Sequence, residues 1–586
     1  MAGRSAPPDP TALASVVDIL DEAAERYEDD EALALVGDEG TTSWSFRELR
    51  HRSELAAWRL RHDLGLAPGD RLLTLSPSAP QLPAVYFGAM RAGLVFVPLD
   101  LRMTPEAMQR IAERSAASAL AYGSGRDAPT PEETGLGALR SRSIDELTAD
   151  ASSPAEEASI REDVASWPRP GRADAFEIVY TSGTTGRPKG VIVTHGTVLA
   201  SIQGAELIIA PQEHRVVSLL PLSHLLEQFA GLYYALSVGA SVLYVRSRNP
   251  RVIFEAIRRH RTTTMVVVPQ VLEIFWSALT REVDRRGRRR AFDAVRSISR
   301  RLPYALRRVL FRSVHAQLGG GLNLFISSGA FLPPALQQGW EDLGVVVMQG
   351  YGASETGLAT CTTKRDHGIG SVGRSIPPNE VKLAEDGEIL VRGPAVFPGY
   401  WEDPEATKAA FDAEGYYHTG DIGHWDRAGH LVLSGRSKNM IVLPNGFNVF
   451  PEDIENALHV AGIRDAVVLE TAPGRIEAVV LAGEGPAAPR PAEEQRAHAA
   501  AAPEAISPAE TARVEAAIKE ANRSLGINQR VVGWRVWPDA DFPRTHTLKV
   551  KRDPVRAWID ADSPLKVREG DSQREPVAAE GERAAG

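Results

Sequence analysis

Residues 176–195 hold the densest concentration of groups suited to gripping phosphate. The short run Glu177-Ile178-Val179-Tyr180 reads as a strand, the polar string TSGTTGRPKG follows, and VIVTH reads as a second strand. Gly183 and Gly186 allow positive φ and close backbone approach. Exposed N–H groups there, together with the hydroxyls of Thr181, Ser182, Thr184 and Thr185, can wrap phosphate oxygens. Lys189 adds a point charge. The string is not the common nucleoside-triphosphate loop GxxxxGK[ST]: Pro188 precedes the lysine, Gly190 follows it, and a strand stands where that motif requires a helix.

The full string over residues 178–195 resembles the phosphate-binding loop of the adenylate-forming superfamily, acyl-CoA and aryl-CoA ligases among them. The resemblance implies that ATP activates a carboxylic acid through an acyl-adenylate, the loop holding the β- and γ-phosphates. Further strings follow in the family's order. Ser327-Ser328-Gly329-Ala330 is similar to the small-residue turn on which the adenine packs. QGYGASET, with Gly350, Tyr351, Gly352, Ser354 and Glu355, resembles the segment carrying the adenine-stacking tyrosine (Tyr351) and the Mg²⁺-binding glutamate (Glu355). A hard carboxylate oxygen suits that ion. Ser354 stands where the family most often has threonine, and the hydroxyl is retained.

In YHTGD, Asp421 matches the aspartate that accepts both ribose hydroxyls, and Arg436 matches an arginine that contacts ribose or phosphate. Lys438 falls at the family's hinge, where the small domain swings between adenylation and thioester-forming poses. The following NGFNVFPEDIE resembles the segment that turns toward the pantetheine channel, with Gly446 allowing close approach of a thiol arm. PRTHTLKVKR resembles the loop with the adenylation lysine, which alignment places on Lys549, with Lys551 as competitor if the register slips. His546 and Leu548 replace the common proline and glycine, an ending more like that of long-chain acyl-CoA synthetases.

The acid is read from SLLPLSHLLE, which resembles the family's acyl entrance and places His224 near the carboxylate. Amino-acid-activating relatives carry an acidic residue in this stretch for the substrate ammonium; Leu222-Ser223-His224 offers none, so an uncharged tail is expected. Val268 belongs to a stretch that fits one pocket wall, although a buried strand explains the same residues. From Arg281 to Arg312 arginines alternate with Leu, Val, Phe and Tyr, a pattern suited to peripheral contact with an anionic membrane as well as to a solvated face.

These groups need a scaffold, and 586 residues are too many for one core. With 43% hydrophobic and 24% charged residues, the chain reads as neither disordered nor membrane-embedded. A formal charge of -10 argues against nucleic-acid binding, and Cys361, the single cysteine, excludes an internal disulfide. The N-terminus lacks the pattern of a signal peptide, and the longest apolar stretch, over residues 232–245, falls short of a membrane span. A cytoplasmic location is expected, with peripheral contact at the inner membrane face as an option.

Helix periodicity over residues 11–61, then strand and helix patterns alternating to about residue 350, predict an α/β architecture. The expected arrangement is a large N-terminal domain (1–436) of mixed and parallel sheets covered by helices, with a small antiparallel subdomain after about residue 378. A small mobile C-terminal α/β domain (437–562) and a disordered tail (563–586) follow. Residues 149–173 and 483–508 read as linkers. The implied function is ATP-dependent activation of a medium- or long-chain fatty acid and its transfer to coenzyme A, with Mg²⁺ as cofactor. The alternatives are a fatty acyl-AMP ligase that loads a carrier protein and a CoA ligase for another uncharged, aryl acid.

Overall fold

A computed structural model describes residues 7–37, 40–124, 128–181, 188–209, 212–247, 249–445, 447–481, 507–539, 541–544 and 550–561. The chain divides into two compact units, residues 1–434 and 435–586.

The first unit holds three sheets. In chain order its strands are β1 (Glu31–Gly37), β2 (Gly40–Ser45), β3 (Arg71–Leu75), β4 (Val95–Pro98), β5 (Ala117–Tyr122), β6 (Arg140–Ser143), β7 (Ala175–Thr181), β8 (Lys189–Thr194), β9 (Arg215–Ser218) and β10 (Ser241–Tyr244). They continue as β11 (Thr264–Val267), β12 (Leu324–Ser327), β13 (Val346–Ala353), β14 (Gly357–Cys361), β15 (Arg374–Ser375), β16 (Glu380–Leu383), β17 (Glu388–Arg392), β18 (Tyr417–Trp425) and β19 (Leu431–Arg436). Nine form one sheet in the order β15-β14-β13-β12-β11-β9-β10-β1-β2, six form a second in the order β6-β5-β3-β4-β7-β8, and β16 to β19 form the antiparallel subdomain.

Within the two large sheets the central strands run parallel, and β2, β8, β14 and β15 are antiparallel. Strands covered by helices on both faces read as continuous apolar runs, and β4, β10 and β11 are buried throughout. In such sheets, side chains meant for ligands sit just past the carboxyl ends of the strands. Asp100 follows β4, Thr181 ends β7, His224 follows β9, Val268 follows β11, and Gly329 and Ala330 follow β12.

Two sequence expectations need correction. The helix pattern over residues 11–61 is interrupted by the β1–β2 hairpin, whose alternating EALALVG pairs in parallel with β10. Residues 149–173 contain a helix, Pro154–Ser166, N-capped by Ser153. It buries only Ile160, so no apolar period marks it in the sequence.

The second unit contains a short hairpin, β20 (Ile441–Val442) with β21 (Asn448–Val449), and a three-stranded sheet, β22 (Ala466–Ala472), β23 (Arg475–Val480) and β24 (Gly533–Val536). Helices Pro451–Val460 and Pro508–Ser524 pack on one face, burying Ile454, Leu458, Val514 and Ile518. Arg552 donates to both carboxylate oxygens of Glu455 at 2.7 Å and fastens the last helix, Arg552–Asp560. The tail expected at 563–586 lies outside the described residues, as does most of the stretch 483–508.

Candidate functional site

The phosphate string is held at both ends. Thr181 and Lys189 are direct partners in the β7–β8 ladder; Ser182, Gly183, Thr184, Thr185 and Gly186, between them in the sequence, lie outside the described residues. Lys189 is half-buried, and its ammonium stands 4.6 Å from the centre of the Tyr400 ring. Tyr400 is brought there by backbone pairing with Val191, next to the Trp401 N–H donation to Gly190 O at 2.7 Å. Its hydroxyl lies 3.5 Å from Glu355 Oε1 and 3.5 Å from the Tyr417 hydroxyl. Burial, with the Glu355 charge beside it, pushes the Tyr400 hydroxyl up to about 12, and the same two causes raise Tyr417 further. Both phenols are therefore neutral donors at any physiological pH.

Glu355 sits with Ser354 and Thr356 in the turn between β13 and β14. Thr356 is buried and shapes the turn: its hydroxyl accepts from Ala353 N at 2.8 Å. Gly352 is required there, since a Cβ on it would lie 2.0 Å from Gly357 O. Gly350 is also close-packed, its Cβ position 3.4 Å from Leu358. Tyr351 is buried, and its hydroxyl donates to Asp421 Oδ2 at 2.9 Å, joining the expected adenine-stacking and ribose-binding residues directly. Asp421 is set by an irregularity within β18, where Gly420 takes φ of 69° and its N–H donates to Glu388 Oε1 at 2.9 Å. The Thr419 hydroxyl in turn accepts from Asp421 N at 3.0 Å.

On the other side of the sheet ends, His224 Nε2 lies 3.1 Å from Asp100 Oδ2 and 3.2 Å from an Arg102 nitrogen. Arg102 grips both Asp100 oxygens at 2.8 and 2.7 Å, and the Ser223 hydroxyl donates to the same carboxylate at 3.2 Å. Burial opposes the Asp100 charge, but the hydrogen bonds from Arg102 and His224 outweigh it and hold the carboxyl well below the usual range. Asp100 and Arg102 were missed by sequence reading. The signal available was position: a carboxylate directly after the buried strand VFVP.

Gly329 has φ of 84° and is exposed; a Cβ placed on it would touch Val268 and Leu226 at 3.7 and 3.8 Å. The small-residue turn, the expected pocket-wall valine and a leucine two residues past His224 thus come together. Ala330 is exposed beside them.

In the second unit, Arg436 closes β19 and Lys438 lies in a 3₁₀ turn, Ser437–Asn439, whose Asn439 amide donates to Glu452 at 2.6 Å. Gly446 and Lys549 lie outside the described residues. Their neighbours are ordered: Phe447 N–H donates to Asn445 Oδ1 at 3.0 Å, and Arg544 pairs antiparallel with Val550.

Among the described residues no group of three or more His, Cys, Asp or Glu could cage a metal. Glu355, a half-buried carboxylate, fits an ion such as Mg²⁺, which is usually held by one or two carboxylates plus substrate phosphates. No described helix is long and apolar enough to cross a membrane.

Comparison with known proteins gives the family and the fold. A long-chain-fatty-acid–CoA ligase, FadD15 of Mycobacterium bovis, is 29% identical over 540 residues, covering 85% of this chain and 88% of that one. The fold matches that of o-succinylbenzoate CoA synthetase from Bacillus subtilis, with TM-score 0.70, 20% identity and coverage of 94% and 99%. It also matches a Mycobacterium tuberculosis fatty acyl CoA synthetase, with TM-score 0.62, 22% identity and coverage of 95% and 100%. Residues 20–401 match the family described as AMP-binding enzyme, and with most of its length inside that match the chain belongs to the AMP-binding enzyme family.

Proposed function

We propose that this protein activates a medium- or long-chain fatty acid with ATP, giving an acyl-adenylate and pyrophosphate, and then transfers the acyl group to coenzyme A with release of AMP. One observation supports the reading: at neighbouring strand ends the Tyr351–Asp421 hydrogen bond joins the expected nucleotide residues, and Leu226 and Val268 lie beside the expected adenine turn at Gly329, where they would offer an apolar wall to the acid. The long-chain-fatty-acid–CoA ligase relatives favour a fatty acid over an aryl one.

In the first step a carboxylate oxygen attacks the α-phosphorus in line with the departing pyrophosphate. Both reactants are anions, so the protein must neutralise and align them. Lys189 and the string it closes would hold the β- and γ-phosphates, Tyr351 would stack the adenine, and Asp421 would accept the ribose hydroxyls. Glu355 would hold Mg²⁺, which supplies charge neutralisation at the phosphates when bound. His224, oriented by Asp100 and Arg102, would stand at the carboxylate. Lys549 would neutralise the transition state of this step, with Arg436 at ribose or phosphate. Lys438 would serve as the hinge by which residues 437–562 turn from the first pose to the second, bringing Gly446 to the thiol arm.

Pyrophosphate release over a panel of fatty and aryl acids, followed by thioester formation with CoA or with an acyl carrier protein, tests the reading. Thioester on the carrier alone would make this an acyl-AMP ligase, and preference for aryl acids would move the substrate class.

Peripheral membrane contact belongs to the same reading. Arg296 and Arg300 are spent on the buried Asp342, and Arg307 and Arg308 on backbone carbonyls. Ile298, Leu306, Val309 and Leu310 are 48–66% exposed, and Arg290, Arg301 and Arg312 are exposed in the same helical segment. An apolar face with arginines around it suits an anionic bilayer surface. Leu306→Ser with Val309→Ser should abolish sedimentation with phosphatidylglycerol vesicles while leaving adenylation in detergent unchanged.

A further inference from the structure

Behind the His224 turn lies a fully buried polar link that the chemistry above does not use. Gln228 and Glu177 are each 0% exposed. The Gln228 amide nitrogen donates to Glu177 Oε1 at 2.8 Å and to the Leu222 carbonyl at 2.8 Å, and the same carbonyl accepts from the Tyr86 hydroxyl at 3.2 Å. Leu222 precedes His224 by two residues, in the loop after β9 of the nine-stranded sheet. Glu177 lies in β7 of the six-stranded sheet, four residues before Thr181. Gln228 itself sits in a π-helical segment, Glu227–Tyr233. Wide turns of this kind recur at functional sites.

We propose that Gln228 is a positioning residue for adenylation: by tying the Leu222 carbonyl to Glu177 across the two sheets, it fixes the His224 turn against the strand that runs into the phosphate string. The inference rests on the function proposed above.

Stability alone does not account for the link. Gln228 Oε1 and Glu177 Oε2 have no hydrogen-bond partner among the described residues, and an orphaned buried polar atom costs stability. Replacing both partners by apolar groups of the same shape is often neutral or stabilising. Burial pushes Glu177 up to about 8, despite the bond from Gln228. Geometry is what such a strap secures. The carboxylate at His224 and the phosphate chain at Thr181 and Lys189 must meet in line, and a misplacement of about 1 Å can cost about 10²-fold in rate.

The test is rapid-quench kinetics of both half-reactions on the full-length protein. Gln228→Met should lower the adenylation rate by about 10–100-fold, with the KM values for ATP and acid within about threefold of the parent. Thioester formation from supplied acyl-AMP should be unaffected. Glu177→Gln, which keeps the acceptor, should adenylate like the parent. Glu177→Met combined with Gln228→Met removes both orphaned atoms, and should regain thermal stability while adenylation stays slow. Parental adenylation in the folded Met variants, or equal loss of both half-reactions, overturns the inference. If those variants fail to fold, Tyr86→Phe decides: adenylation reduced by about 3–10-fold supports it and a parental rate refutes it. Should the parent itself adenylate no acid, the proposed function fails first, and that result is distinct from active parent with indifferent variants.

Discussion

The two halves of the first unit's site are built on different principles. The nucleotide half pairs charged groups with aromatic ones: Lys189 against the Tyr400 ring, the Tyr400 hydroxyl toward Glu355, and the Tyr351 hydroxyl on Asp421. The acid half turns its charges on one another, Asp100 being consumed by Arg102, His224 and Ser223, and offers apolar surface at Leu226 and Val268. On the function proposed above, the first half would hold a constant, highly charged reactant by its charges, and the second would offer apolar surface to a tail that varies.

The sharpest way to break this division is Asp421→Ala. Loss of the carboxylate that would accept both ribose hydroxyls should lower kcat/KM for ATP by about 10²–10³-fold, chiefly through KM, and equally for every acid. A loss that depends on the acid, measured by pyrophosphate release, would show that the halves are not separate. Asp100→Asn comes next. It leaves His224 and Arg102 without their shared carboxylate, and should cost about 10–100-fold through misplacement of His224. Here the losses should be unequal among acids, with KM for the acid rising more than KM for ATP.

Tyr400→Phe is milder, because the ring under Lys189 stays and only the hydroxyl facing Glu355 goes. One net hydrogen bond is worth about 1 kcal/mol, so about a fivefold fall is expected, uniform across acids. The smallest effect is on stability. Burial raises Glu227 from its ordinary 4.5 to about 8, with Ser218 acting weakly against it, so the folded chain keeps a proton that the unfolded chain releases above 4.5. Stability from this group is complete below pH 4.5 and is lost progressively up to about pH 8. Glu227→Gln should flatten the fall in Tm over that window by a few degrees, read by calorimetry at stepped pH.

The nucleotide half was legible in sequence because its members sit in short contiguous strings. QGYGASET alone carries Tyr351 and Glu355, and YHTGD carries Asp421. The acid half was legible only at His224 and Val268. Asp100 and Arg102 come from the end of β4, 122 residues before His224 in the case of the Arg102–His224 contact, and no string shared with His224 marks them. The same reason hid Tyr400: FPGYW looks like a turn until β8 is paired to it through Val191. Alternating strand and helix patterns gave the sheets, since the parallel strands covered on both faces, β4, β10 and β11, are buried throughout. The Pro154–Ser166 helix escaped because it touches the core through a single isoleucine.

The turn that carries Glu355 has a consequence for redesign. With Gly352 crowded against the Gly357 carbonyl and Thr356 sealed beneath, neither flank of Glu355 can accept a larger residue without moving the backbone. A saturation library over residues 350–357 should return few active clones, whereas one over Leu226 and Val268 should return many with altered acid preference. Such an outcome would mean that acid preference can be changed without disturbing the nucleotide side.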